Sequence, residues 1–281
     1  MASLDDLKKR ISSVKSTQKI TKAMKMVAAS KLRRAQESAE KGRPYSDKMN
    51  NIILNLSNSI SDKENSPKLL AGSGEDKVHL CIVMTSDRGL CGGFNTNIIK
   101  KAKLYFQKII DAEKILKIIT VGSKGYDQLK RTYKENIIEK ISFKESKYAN
   151  YFDADKVGKI IIDKFEKKEF DVCAIFYNQF KNVITQIPQE QQIIPLKTSE
   201  SEGSSSEDNY EFEPEEDEIL SNLLPKNIST QIFKAMLENS ASEQGSRMSA
   251  MDNATRNAGE MVDKLTIQYN RSRQAAITKE L

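Results

Sequence analysis

Between Arg247 and Leu281, apolar or small side chains return in alternating steps of three and four: Met248, Met251, Thr255, Ala258, Val262, Leu265, Tyr269, Ser272 and Ala276. This is a heptad seam, the pattern of a helix lying along a partner helix. The same stepping opens the chain through Leu4, Leu7, Ile11 and Val14, and it continues through Ile20, Met24, Val27 and Leu32 after a small phase slip. A seam at both ends predicts one two-stranded rod built from the two termini. The residues between them form a module carried on that rod. If both helices leave the same side of the module they run antiparallel, and both termini lie at the far tip. Met24, Lys25, Arg273 and Gln274 are expected to gather there.

The chain has 281 residues, 38% hydrophobic and 30% charged, enough for one or two domains with a core. No apolar run approaches the ~18 residues that a bilayer span needs, so no integral membrane segment is expected. Met1-Ala-Ser-Leu-Asp-Asp6 has neither signal-peptide nor transit-peptide character. Cys81, Cys91 and Cys173 match no zinc or redox spacing and read as buried small hydrophobes of a reducing compartment. His79, the single histidine, leaves almost no material for histidine catalysis or a metal site, and it reads as a strand-edge residue.

Residues 1–50 hold thirteen Lys/Arg against five Asp/Glu, and residues 200–218 hold ten Asp/Glu with no Lys/Arg. The basic helix is open to several readings: a solvated face, an acidic protein partner, an anionic surface or nucleic acid. Its cations are spread around the helix without aromatic interleaving, so nucleic acid is not an expected partner.

In chain order, Ser3 is a plausible N-cap with Asp5 and Asp6 in the first turn. Helix formers run to about Lys41, Gly42-Arg-Pro44 is expected to kink or break the helix, and Tyr45–Ser59 resumes it. Residues 61–76 form a loop. Strands are expected at Val78–Thr85, Ile115–Val121, Ile137–Ile141, Phe170–Asn178 and Val183–Leu196. Helices are expected at Asn97–Ala112, Tyr126–Thr132 and Val157–Glu169. This alternation predicts a Rossmann-like α/β domain with a mostly parallel sheet. Thr198–Pro214 reads as an acidic surface loop, Pro214 as the start of a short helix, and Pro225 as its end or as the start of the long C-terminal helix. The organisation is thus a coiled-coil helix at 1–60, an α/β domain at 77–197, an acidic loop at 198–214 and a second coiled-coil helix at 215–281. Gly245 and Gly259 each cost the last helix about 1 kcal/mol, tolerable where small residues let two backbones approach closely.

Ser86–Phe94 is glycine-rich, follows a strand and precedes a helix, the place where an α/β sheet can hold phosphate. It has neither G-x-G-x-x-G nor G-K-[ST], and it reads as a tight turn whose glycines allow close backbone contact. Gly122-Ser-Lys-Gly125 reads the same way. The turn motivates one alternative, a nucleotide-binding α/β enzyme with helical extensions. No Ser/His/Asp, Cys/His or paired-carboxylate constellation is evident. The reading therefore includes no catalytic residue, metal or cofactor.

Three long stretches carry a family resemblance. Ile11-Ser-Ser-Val-Lys-Ser-Thr-Gln-Lys-Ile-Thr-Lys-Ala-Met-Lys-Met-Val-Ala-Ala-Ser-Lys31 resembles the N-terminal helix of the gamma subunits of F-type ATP synthases. Thr85-Ser-Asp-Arg-Gly-Leu-Cys-Gly-Gly-Phe-Asn95 resembles their first strand-turn. Ser242–Thr255 and Tyr269–Leu281 resemble their C-terminal helix. The match is collinear over nearly the whole chain and is similar to alphaproteobacterial members and their mitochondrial relatives.

The resemblance implies a rotating central stalk without chemistry of its own. Its antiparallel coiled coil would sit inside a ring of alpha and beta subunits. Its α/β foot, with the epsilon subunit (delta in mitochondria), would rest on the ring of c subunits. It would be peripheral to the cytoplasmic face of a bacterial inner membrane or the matrix face of a mitochondrial one. The family's contacts carry over to Lys22, Met24, Lys25 and Lys31, facing an acidic segment of beta, and to Arg273, Gln274, Thr278 and Glu280, facing a beta loop near the sleeve. Met24 is expected near Arg273–Glu280 across the rod. Family members usually continue a few helical turns past the stretch matching Ile277–Leu281. The paired cysteines of redox-regulated chloroplast members have no counterpart here, so no thiol switch is expected.

Overall fold

A computed structural model describes residues 3–59, 67–144, 148–196 and 216–280. The acidic stretch 198–214 lies outside them. The two terminal helices are α1 (Leu4–Ser59), with 56 residues, and α6 (Glu216–Glu280), with 65. At ~1.5 Å per residue they are rods of about 80 and 100 Å. Ser3 caps α1 reciprocally: its Oγ accepts from Asp6 N at 3.1 Å, and the Asp6 carboxylate accepts from Ser3 N at 3.4 Å.

Pro44 and Pro225 both lie inside helices, contrary to expectation. α1 passes through Pro44 without a break, and α6 is one helix through Pro225 rather than two. An interior proline costs about 3 kcal/mol. Burial on either side outweighs it, since each fully buried Leu or Ile contributes about 1.5–3 kcal/mol. Ala39, Ile53 and Leu56 are buried around Pro44, and Leu220, Leu224 and Ile228 around Pro225.

The seam of α6 is buried or half-buried at all nine positions read from the sequence. That of α1 follows a different path after Val14. There is no phase slip: the buried and half-buried line runs on through Gln18, Thr21, Lys25, Ala28, Leu32, Ala35 and Ala39. Ile20 and Val27, assigned to the seam on apolarity, are 60% and 57% exposed. The helices are antiparallel, with Thr21 Oγ1 2.8 Å from Thr255 Oγ1 and Lys25 Nζ 2.6 Å from Asp252 Oδ1.

Between the two helices in chain order comes a five-stranded sheet of order β3-β2-β1-β4-β5. Its strands are β1 (Val78–Met84), β2 (Ile115–Val121), β3 (Ile137–Ile141), β4 (Val172–Phe180) and β5 (Gln186–Ile194). The first four are parallel, and β5 returns antiparallel along β4. A short helix α2 (Lys68–Ala71) precedes β1, in a stretch expected to be loop. α3 (Phe94–Asp111) and α4 (Ser123–Leu129) cover one face, with Ile98, Phe106 and Leu129 against Cys81, Val83 and Phe176. α5 (Tyr151–Glu166) and α6 cover the other, with Val157, Ile161, Ile228 and Ile232 against Leu80, Ile82 and Ile175. One helix is therefore both a layer of the foot and half of the shaft. β1 is the central strand, so His79 is not on an edge; it is buried with Nε2 2.7 Å from Asp76. All three cysteines are free and buried.

Candidate functional site

The proposed contact residues fall at two separate levels of the shaft. Lys22 and Lys31 are exposed, and Met24 is half-buried. Lys25 reaches across the seam to Asp252. Met24 and Lys31 line a cleft of about 720 Å³ between α1 and the upper edge of the sheet, facing Thr85, Asp87, Leu90 and Glu243. Arg273, Gln274 and Thr278 are exposed near the end of α6, with Thr278 Oγ1 donating to Gln274 O at 2.9 Å. The Glu280 side chain lies outside what is described.

The two groups do not gather, which corrects the expected register. Lys25 is level with Asp252, and Arg273 lies 21 residues farther along α6, about 30 Å at helical rise. At the same register Arg273 is level with Leu4. The described ends of both helices, Leu4 and Glu280, do lie at the far end of the shaft; Met24 does not.

The joint between shaft and foot is built from the strand ends. The Asp87 carboxylate accepts from Ser123 N and Oγ, each at 2.8 Å, from Ser142 Oγ at 2.8 Å and from Phe143 N at 3.2 Å. Burial alone would raise its pKa, but these donors outweigh it and hold the carboxyl below the usual carboxylate range. Gly122 has φ 103°, and a Cβ there would lie 2.2 Å from Thr85 O. The Ser86–Phe94 turn presses on α6 at Gly92 (φ 55°). Ser246 Oγ donates to Cys91 O at 2.7 Å, and Arg247 donates to Arg88 O and Gly89 O at 3.4 and 3.3 Å. The reading as a close-contact turn is correct, and side chains of α6 occupy its carbonyls. Burial pushes the Glu243 carboxyl up, opposed by Arg247 at 2.7 Å.

A second polar group was not legible in the sequence. Glu238, Asn239 and Ser242 of α6 are buried, and with Arg43 of α1 they bond the backbone of β4. Leu237-Glu-Asn-Ser-Ala-Ser-Glu-Gln-Gly-Ser-Arg247 resembles a solvated helix face in composition. The available signal was its place, directly before an unbroken seam. Among the described residues no cluster could hold a metal, and no helix is long and apolar enough to cross a membrane.

Comparison with known proteins gives the same answer throughout. A family profile described as ATP synthase matches residues 3–281. The chain is 87% identical over 281 residues to the ATP synthase gamma chain of Pelagibacter ubique, covering 100% of this chain and 97% of that one. It is 57% identical to the gamma chain of Roseobacter denitrificans, with the same coverage. Among solved structures it is similar to a chain of the central stalk and c-ring of the Tetrahymena thermophila mitochondrial ATP synthase. There the TM-score is 0.64 at 27% identity, over 84% of this chain and 99% of that one. A rotor chain of the Euglena gracilis mitochondrial enzyme shares the fold, with TM-score 0.67 at 18% identity over 98% of each chain. The chain belongs to the gamma chains of the ATP synthase family.

Proposed function

We infer that this chain is the non-catalytic rotary stalk of an ATP synthase, coupling proton flow at the membrane to ATP synthesis and hydrolysis in the catalytic head. The observation that carries the reading is the shaft. Two helices from opposite chain ends pair along an unbroken seam and extend well past the sheet. Such a rod is stiff, and its outer face is mostly polar, so it can turn inside a sleeve without sticking.

In the finer reading, alpha and beta subunits form the sleeve. Lys22, Met24, Lys25 and Lys31 meet an acidic segment of beta at the lower level, and Arg273, Gln274, Thr278 and Glu280 meet beta near the tip. Exposed ion pairs contribute only about 0–1 kcal/mol, so such contacts can form and break with each turn. The foot, with epsilon, rests on the c-subunit ring, peripheral to the membrane.

The test uses the foot as a pointer. Leu104 on α3 is 70% exposed, whereas the native cysteines are buried. Leu104→Cys therefore takes a fluorophore selectively. With the catalytic head fixed to a surface, added ATP should turn the probe in one direction. A probe that stays still while ATP is hydrolysed would rule the stalk role out.

A further inference from the structure

We propose that the buried polar run Glu238–Arg247 of α6 is the key through which torque passes between foot and shaft, with Glu238 and Arg43 as its positioning residues. The proposal rests on the rotary reading above. Turning a shaft against a foot is a shear load. Apolar packing is non-directional, so it resists separation better than sliding. Hydrogen bonds fix both distance and angle, and they resist slip.

The structure places such bonds where a strand is missing. The pairing of β1 with β4 ends at Val83–Phe176, four residues before β4 does. Beyond that point α6 takes the place of a strand. Asn178 N donates to Asn239 Oδ1 at 3.1 Å, and Ser242 Oγ donates to Asn178 O at 2.9 Å. Phe180 N donates to Glu238 Oε2 at 2.9 Å, and Arg43 Nη2 donates to Phe180 O at 3.2 Å. Arg43 Nε closes the circuit on Glu238 Oε1 at 2.6 Å. Both backbone groups of two β4 residues are thus held by shaft side chains, and α1, α6 and β4 are tied at one point. Glu238 is only 2% exposed, and its carboxylate is paired with Arg43. Farther along α6, Ser246 and Arg247 hold the Ser86–Phe94 turn in the same way. The foot is gripped at two strand ends by one stripe of one helix.

The experiment measures torsional stiffness in the assembled enzyme, with the head fixed and a bead on the foot, alongside protons pumped per ATP hydrolysed. Glu238→Gln is expected to soften the link about twofold and lower the pumping ratio, because it leaves the Arg43 charge without its counter-ion. The pair Arg43→Gln with Glu238→Gln should recover part of the stiffness. Ile232→Val, an apolar change on the same helix, should lower thermal stability without softening the link. Should Glu238→Gln fail to assemble, Ser242→Ala removes one bond of the key and is expected to soften it to a lesser degree. Wild-type stiffness in these polar variants, or equal softening by Ile232→Val, would overturn the key. A wild-type foot that does not turn would instead overturn the rotary reading itself.

Discussion

A methyl group at Gly122 would sit 2.2 Å from the Thr85 carbonyl oxygen, on a backbone with φ 103°. No side-chain rotation relieves either fault, because the obstacle is backbone. Gly122→Ala is expected to destabilise the chain by about 3 kcal/mol or more, visible as a large drop in melting temperature. Near-native melting would show that the joint is looser than described. Asp87, which ties the ends of β1, β2 and β3 together, should make stability depend on pH. Its folded pKa lies below its unfolded value of about 3.9, so its contribution is complete above that value. It is lost as pH falls through the folded pKa. Asp87→Asn should therefore cost about 2 kcal/mol at neutral pH, and the gap to wild type should close on acidification below about pH 4. Urea denaturation at several pH values reads this directly; a gap independent of pH would sink the idea. The two residues differ in how far the sequence announces them. Although the structure makes it the start of α4 rather than the turn expected, the Gly122-x-x-Gly125 spacing after a strand is visible locally. The role of Asp87 is not, since Ser123, Ser142 and Phe143 reach it only through the parallel order of three strands.

At the scale of elements, the lower shaft is inside out relative to simple patterning. Gln18, Thr21 and Lys25 lie on the seam, while Ile20, Met26 and Val27 face outward. Apolarity alone therefore misplaced the seam of α1 at Ile20 and Val27, while Leu4, Leu7, Ile11, Val14 and Leu32 do lie on it, and the seam of α6 was read correctly. The hydroxyl pair Thr21–Thr255 sets the register, and it is testable by crosslinking. Thr21→Cys with Thr255→Cys should form a disulfide under mild oxidation. Met24→Cys with Thr278→Cys should not, being about 40 Å apart by helical rise. The reverse result would restore the register first expected from the sequence.

Close approach at the helix glycines also separates into two cases. A Cβ at Gly259 would meet only the mobile Gln18 amide at 2.9 Å. One at Gly158 would lie 2.5 Å from Ser229 Oγ, which is bonded to Asp155, and 3.4 Å from Ser229 Cα. Gly259→Ala should stabilise by about 0.5–1 kcal/mol, and Gly158→Ala should destabilise by about 1–3 kcal/mol. Thermal melts of the two variants moving in the same direction would refute this distinction. Polar residues buried on α6 were unreadable for a general reason. Composition reports solvation only when the partner is water, and here the partner is an unpaired strand edge.

The whole molecule carries its two proposed contact levels on one rod, about 30 Å apart and with no shared neighbour. Substitutions at such separation act independently, adding within about 0.5 kcal/mol. Met24→Lys adds charge beside the cleft at the foot, and Arg273→Glu reverses charge near the tip. Each should impair the coupling of ATP hydrolysis to proton pumping more than it impairs assembly. Together, their effects on coupling, expressed as free energies, should sum. A combined effect well beyond the sum cannot come from direct contact, because the residues do not meet. It would have to travel along the shaft, so a double-mutant cycle in the assembled enzyme separates two local bearings from one elastic axle.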